Sequence, residues 1–229
     1  MLVPASPIVL RGKVCPLGDK GHLSGIAKTP TEGPWHFTRV GLAGDEQADR
    51  KSHGGPEKAV HHYAQDHYDA WRADIGSHPL LNSPGAFGEN ISTTGWTEHT
   101  VHIGDIIRFG GAVLQVSQGR QPCWKLNVRF ARSDVAYQTQ SSGRTGWYYR
   151  VLEEGNAAPG DQLILEDRPQ PDWPLSRLIT LLYRDKDRYG DLQEMAAIPE
   201  LAEGWRRLAT KRVQARSVED WTPRLNGPL

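Results

Sequence analysis

Cysteine is scarce: Cys15 and Cys123 are the only two in 229 residues. That excludes a disulfide scaffold and an iron–sulfur cluster held by four thiolates, and it suits a cytoplasmic protein with reduced thiols. No apolar run approaches ~20 residues, so no transmembrane span is expected. The opening MLVPASPIVLRGKV is broken by Pro4 and Pro7 and has no basic leader, which argues against a signal peptide. Charge of one sign is missing too. Lys+Arg and Asp+Glu are 27 each, so the broad basic field of a nucleic-acid binder is absent. Phenylalanine (4) and methionine (2) are few, whereas 24 Gly and 16 Pro favour short strands and turns over long helices. With 38% hydrophobic and 24% charged residues, the chain is globular and fits one medium domain with a small appendage.

The pattern predicts a mainly β region up to residue 168. Pro7–Val14, Gly25–Lys28, Lys58–Ala64, Thr100–Phe109, Ala112–Ser117, Trp147–Glu153 and Gln162–Glu166 read as strands, with Gly110-Gly111 as a hairpin turn. Gln65–Ile75 reads as an amphipathic helix, and Ser133–Gln140 as a short helix with Ser133 as N-cap. Three prolines in Arg168–Pro174 suggest a linker. Beyond it Leu175–Tyr183, Asp191–Ala197 and Pro199–Val213 read as helices, the last with Leu201, Trp205, Leu208, Ala209 and Val213 on one face and Arg206, Arg207, Lys211 and Arg212 mostly elsewhere. The basic run Arg206–Arg216 is then a solvated helix face. The two regions, 1–168 and 169–229, are expected to pack together, because so small a helical module has little core of its own.

The chemistry concentrates in Ser117-Gln-Gly-Arg-Gln-Pro-Cys-Trp-Lys-Leu-Asn127. It follows an apolar strand, and Pro122 can start a helix. Cys123 would lie near a helix N-terminus with Arg120, Lys125 and Arg129 close in sequence, a setting that favours thiolate over thiol. A thiolate serves as nucleophile or soft metal ligand; a small buried cysteine acting as a hydrophobe fits the spacing equally well. A second stretch, Arg50-Lys-Ser-His-Gly-Gly55, pairs cations with glycines that let backbone amides approach a phosphate, although His-Gly-Gly is also a common tight turn. His61 and His62 would point to opposite faces of a strand, so at most one shares a site with His53, and structural zinc is not favoured. Glu89 and Asn90 can orient a ligand or cap a turn. Trp147 and Tyr149 read as core.

Taken in order, GLAGDEQADRKSHGGPEKAVHHY, FGENIS, GDIIRFGGAVLQVSQGRQPCWKLN and SSGRTGWYYRVLEEG resemble the MOSC-domain family over nearly the full length. The tail resembles the three-helix C-terminal module of one bacterial subfamily. The resemblance implies a MOSC-type β-barrel over residues 1–168 and a helical module over 169–229. It also implies the molybdenum cofactor (molybdopterin carrying Mo), with Cys123 as molybdenum ligand and Arg50, Lys51, Gly54, Gly55, Ser117, Gln118, Arg120 and Asn127 around the cofactor. The activity it implies is reduction of N-hydroxylated compounds, such as hydroxylaminopurine bases, to amines. Arg129 joins the candidates for the cofactor phosphate, and His53 is the candidate proton donor. At Gly119 the chain departs from the family pattern, which commonly has proline there. Electrons must come from a separate NAD(P)H-dependent flavoprotein reductase, since two cysteines and no G-x-G-x-x-G leave no internal relay. The helical tail is a candidate docking surface for it.

Competing readings are a cofactor or sulfur carrier using a Cys123 persulfide, a Cys/His hydrolase and a nucleic-acid-binding module. No stable nucleic-acid or membrane partner is expected, and a homodimer is kept as an option.

Overall fold

A computed structural model describes residues 2–49 and 54–227. The first half of the chain gives β1 (Ile8–Arg11), β2 (Cys15–Leu17), β3 (His22–Ser24), β4 (Thr29–Pro30), β5 (Trp35–Thr38), β6 (Gly41–Leu42), β7 (Val60–Ala64) and β8 (Ile91–Thr93), with helix α1 (His67–Ile75) between the last two. The second half gives β9 (Ile106–Phe109), β10 (Ala112–Gly119), β11 (Trp147–Glu153), β12 (Gly155–Ala157) and β13 (Leu163–Asp167). Helices α2 (Lys125–Arg129) and α3 (Val135–Ser142) fall between β10 and β11. The tail is α4 (Leu175–Tyr183), α5 (Tyr189–Ala196), α6 (Glu203–Ala215) and α7 (Thr222–Asn226).

Eight strands form one curled mixed sheet in the order β13-β9-β10-β11-β7-β8-β1-β4, with β7 and β8 parallel. An antiparallel bridge from Ala5 to Leu163 links the residues before β1 to β13, so the two ends of the sheet approach each other. Inside the curl lie Phe37, Trp96, Phe109, Trp147 and Tyr149. Helices α4, α5 and α6 share that core through Leu178, Leu182, Met195 and Trp205, as expected for a module too small to fold alone. A second apolar cluster on the outer face joins Tyr63 of β7 to α1, α2 and α3 through Trp71, Phe87, Leu126 and Phe130.

The Gly110-Gly111 hairpin forms, pairing Phe109 with Ala112, and Gly110 takes φ 56. The structure corrects several boundaries. Gly25–Lys28 is irregular, because Gly25 lies against the Glu46 carbonyl: an added Cβ would be 2.1 Å from that oxygen. Residues 100–105 turn instead of extending, since Asp105 accepts the His102 amide at 2.9 Å. Asp134, not Ser133, precedes α3, and its carboxylate holds Arg132 and Gln138 without capping. Helix α6 begins at Glu203, not Pro199, because the Ala202 amide bonds the Ser117 carbonyl of β10 at 2.8 Å in extended backbone (ψ 137).

Residues 168–174 are not a free linker. Trp173 is buried in the main core, and Arg168 pairs with the fully buried Asp105 at 2.7 Å. Arg212 does not lie on a solvated face: it is 1% exposed and bonds Glu219 and the Leu182 carbonyl.

Candidate active site

Strand β10 is buried along both faces and leads straight into the cysteine turn. Its pairing with β11 slips between Val116 and Gln118, and such a bulge re-aims the residues that follow. After Gly119 the chain passes through Arg120, Gln121 and Pro122 to Cys123, which is 7% exposed and whose carbonyl accepts the Leu126 amide at 3.0 Å as α2 begins. Gly119 has a packing reason. A Cβ there would stand 2.9 Å from the ring end of Trp205, so α6 closes on the turn only because this residue has no side chain.

Cys123 lies between two clefts. The first encloses ≈ 590 Å³ counting its open mouth; Lys28, Lys58, His61, Asn90, Arg120 and Tyr148 line it with the thiol. The second is lined by Asp49, Lys58, Gln118, Trp124, Tyr148 and Arg224. Alternation along the strands builds the shared wall. Trp147 and Tyr149 face the core while Tyr148 faces the clefts; on β7, His62 turns inward to Tyr149 (2.9 Å) and Thr93 (2.8 Å) while His61 packs against Tyr148, ring centroids 5.0 Å apart.

The electrostatics are cationic but shielded. Arg120 is 5% exposed, its amide bonds the Gly146 carbonyl at 3.0 Å, and its Nη1 is buried without a hydrogen-bond partner among the described residues. His61 Nε2 is likewise buried and unpartnered. Burial, aided by the Arg120 charge, holds His61 well below the ordinary imidazole range, so it is neutral at pH 7. Burial also lowers the Lys58 ammonium, while the charges of Asp49 and Cys123 pull it back up. Lys28 is lowered by burial and steadied by its ion pair with Asp45. Tyr148 is raised by burial, against the opposing charge of Arg120.

Not all sequence-derived candidates converge. Arg120 and Cys123 sit together and Gln118 reaches the second cleft. The Ser117 hydroxyl instead donates to the Glu57 (2.6 Å) and Tyr148 (3.1 Å) carbonyls, and Asn127 braces Leu225 and Ala136. Arg129 donates to the Gly85 and Ala86 carbonyls, so its guanidinium holds a turn. Glu89 caps that same turn, accepting from the Gly85 and Phe87 amides and the Tyr68 hydroxyl. Gly55 precedes the single turn Pro56–Lys58 and Gly54 adjoins it; neither lines the clefts beside the thiol. Arg50, Lys51 and His53 lie outside the described residues. Sequence reasoning missed Lys28, Lys58 and His61. The strand alternation that sets His62 and Tyr149 inward was the available signal for His61 and Tyr148.

Among the described residues no helix is long and apolar enough to cross a membrane. Residues 49–164 match the MOSC domain family, and residues 173–216 match the YiiM-like, 3-alpha helix domain. Protein YiiM of Escherichia coli is 39% identical over 211 residues, covering 91% of this chain and 92% of that protein. A Gibberella moniliformis protein named "Reductase" is 45% identical over 151 residues, 66% of this chain but 27% of its own length. The crystal structure of YiiM from Escherichia coli superposes with TM-score 0.83 at 31% identity, covering 97% of this chain and 98% of that one. MOSC domains are associated with the molybdenum cofactor, and on these matches the chain belongs to the MOSC-domain family, in its YiiM-like form with a C-terminal three-helix module.

Proposed function

We propose that this chain is a molybdenum-cofactor-dependent oxidoreductase that reduces N-hydroxylated compounds, such as hydroxylaminopurine bases, to amines. The observation that carries the reading is the buried Cys123 thiol between two clefts, beside an Arg120 Nη1 that has no partner among the described residues.

The residues fit the group. A pterin dithiolene with a phosphate tail brings its own sulfur ligands and negative charge. Among the described residues, no cluster of three or more His, Cys, Asp or Glu is set to hold a metal unaided, so a metal here would combine one protein thiolate with ligands it carries in. Cys123 would supply that thiolate, and Arg120, Lys58 and Lys125 would face the anionic portion. When bound, the cofactor supplies the two-electron chemistry that removes oxygen from the substrate nitrogen.

The chain's own groups manage protons and water. Converting R–NHOH to R–NH2 and water consumes two protons. Lys58, whose ammonium is weakened by burial, is the candidate donor beside the thiol. Neutral His61 offers a ring nitrogen for a hydrogen bond to a polar ligand edge, and Tyr148 adds a flat wall for a heterocycle. Electrons come from a separate NAD(P)H-dependent flavoprotein reductase.

The test is direct. Chain purified from cells that make molybdopterin is expected to carry molybdenum and pterin in near-equal amounts. It should reduce an N-hydroxylated base with a reduced viologen, and not with NADH alone. Cofactor-free protein with full activity, or NADH-driven turnover by the chain alone, overturns the reading.

A further inference from the structure

Helix α7 grips the cysteine turn from both sides. The Arg224 carbonyl accepts the Trp124 amide at 2.8 Å, and the Arg224 guanidinium donates through Nη1 to the Pro122 carbonyl. These are the peptide groups immediately before and after Cys123. The same guanidinium donates through Nη2 to Gln140 Oε1 at 2.6 Å, which ties the grip to α3. The Leu225 carbonyl accepts from Asn127 at 2.9 Å, and Gly227 packs on the Trp124 ring.

The grip is itself anchored. Arg212 on α6, almost fully buried, bonds the Leu182 carbonyl of α4 at 2.7 Å and holds Glu219 through two nitrogens at 2.7 and 2.9 Å. Glu219 in turn accepts the Trp221 indole N–H at 2.9 Å just before α7, and the Trp221 ring meets Tyr183 edge-on. A continuous bonded path therefore runs from the helical module to the turn that carries the thiol. Residues 217–227 lie beyond both matched family segments, 49–164 and 173–216.

We infer that Arg224 is a positioning residue for Cys123: it fixes the two peptides flanking the thiol, so the C-terminal segment sets where the sulfur points between the clefts. Its guanidinium holds Pro122 and Gln140 from the wall of the second cleft, which assigns it first to holding the turn. The inference deepens the proposed function but does not need the cofactor to be tested.

The test is iodoacetamide alkylation of Cys123, followed by peptide mass spectrometry in a cofactor-free Cys15→Ser background. Of the two side-chain hydrogen bonds that Arg224→Ala removes, the one to Pro122 touches the turn, and its loss is expected to raise the Cys123 rate about fivefold or more. Arg224→Lys, which keeps one cationic nitrogen in place of two that bond, should fall between that variant and the parent. Exchange protection of the Trp124 amide should drop in the same order. Arg177→Ala, which removes a cation stacked 3.8 Å over Trp173 and paired with Asp191 and Glu194, none of them in the cysteine turn, controls for general loosening and should leave the Cys123 rate at the parent value. If Arg224→Ala does not fold, Arg224→Lys alone decides: its rate must exceed the parent's. A folded Arg224 variant with the parent's alkylation rate and amide protection overturns the inference, as does an equal acceleration in Arg177→Ala. Absence of molybdenum from the loaded parent would instead defeat the proposed function and leave this result standing.

Discussion

Two buried arginines make opposite demands on the fold, and replacing each with methionine separates them. Arg212 is 1% exposed and fully bonded, with Glu219 at 2.7 and 2.9 Å and the Leu182 carbonyl at 2.7 Å. Removing one member of such a pair leaves the rest uncompensated and costs ~3–5 kcal/mol. Because Glu219 keeps 30% side-chain exposure, the lower end, about 3 kcal/mol, is expected for Arg212→Met. Arg120 is 5% exposed, yet its Nη1 has no partner among the described residues. That orphan burdens the native state by ~1–3 kcal/mol, which methionine of similar length relieves while forfeiting the guanidinium's remaining favourable interactions, of the same ~1–3 kcal/mol order. The two nearly cancel, and Arg120→Met should change the stability of cofactor-free protein by about 1 kcal/mol or less. Retention of the pterin should nevertheless fall ~10–100-fold, since one charge-assisted bond to an anionic group is lost. The assays are urea midpoints of both cofactor-free variants and pterin fluorescence released from loaded protein. If Arg120→Met destabilises as much as Arg212→Met while pterin retention is unchanged, Arg120 is a structural cation and the reasoning fails.

Cys123→Ser should lose molybdenum while remaining folded, and Cys15→Ser, whose thiol is exposed, should keep it; metal analysis of both decides. Burial alone would raise the Glu219 carboxyl, but hydrogen bonds from Arg212 and Trp221 outweigh it and hold its pKa at about 2. Its contribution is therefore complete above the ordinary 4.5 and lost as pH falls from there toward about 2; a urea midpoint that drops over that window in the parent and not in Glu219→Gln is expected. Gly119→Ala should destabilise by ~1–3 kcal/mol, because the new methyl meets Trp205 at 2.9 Å; an unchanged melting temperature would mean that α6 does not press on the turn.

What the sequence reveals follows from how local each signal is. Trp147–Glu153 and Leu175–Tyr183 are legible to the residue, since two-residue alternation and a continuous apolar face are properties of the segment itself. The start of α6 is not, because a bond between Ala202 and Ser117, 85 positions apart by subtraction, holds the preceding residues extended. The same holds for residues 168–174. Their prolines read as a linker, yet Trp173 and the Arg168–Asp105 pair fasten them to the sheet. Short strands such as β2 and β3 carry too few residues for a period to emerge.

The site divides along the same line. Arg120 and Cys123 are visible because they share one turn, whereas Lys28, Lys58, His61 and Tyr148 come from separate segments that only the curled sheet gathers. Net charge conceals this gathering. With 27 charges of each sign, the formal charges of the whole chain cancel. Its acids are nevertheless distributed so that Asp45 answers Lys28, Glu46 answers Lys13, Asp49 faces Lys58 and Glu89 is consumed by backbone amides, while Arg120 Nη1 in the cleft with the thiol has no partner among the described residues. A buried donor left open is costly to the fold and gains its return when an anionic group binds. On the proposed function, that local imbalance inside a neutral chain would favour a small anion carried into a cleft over an extended one lying across the surface.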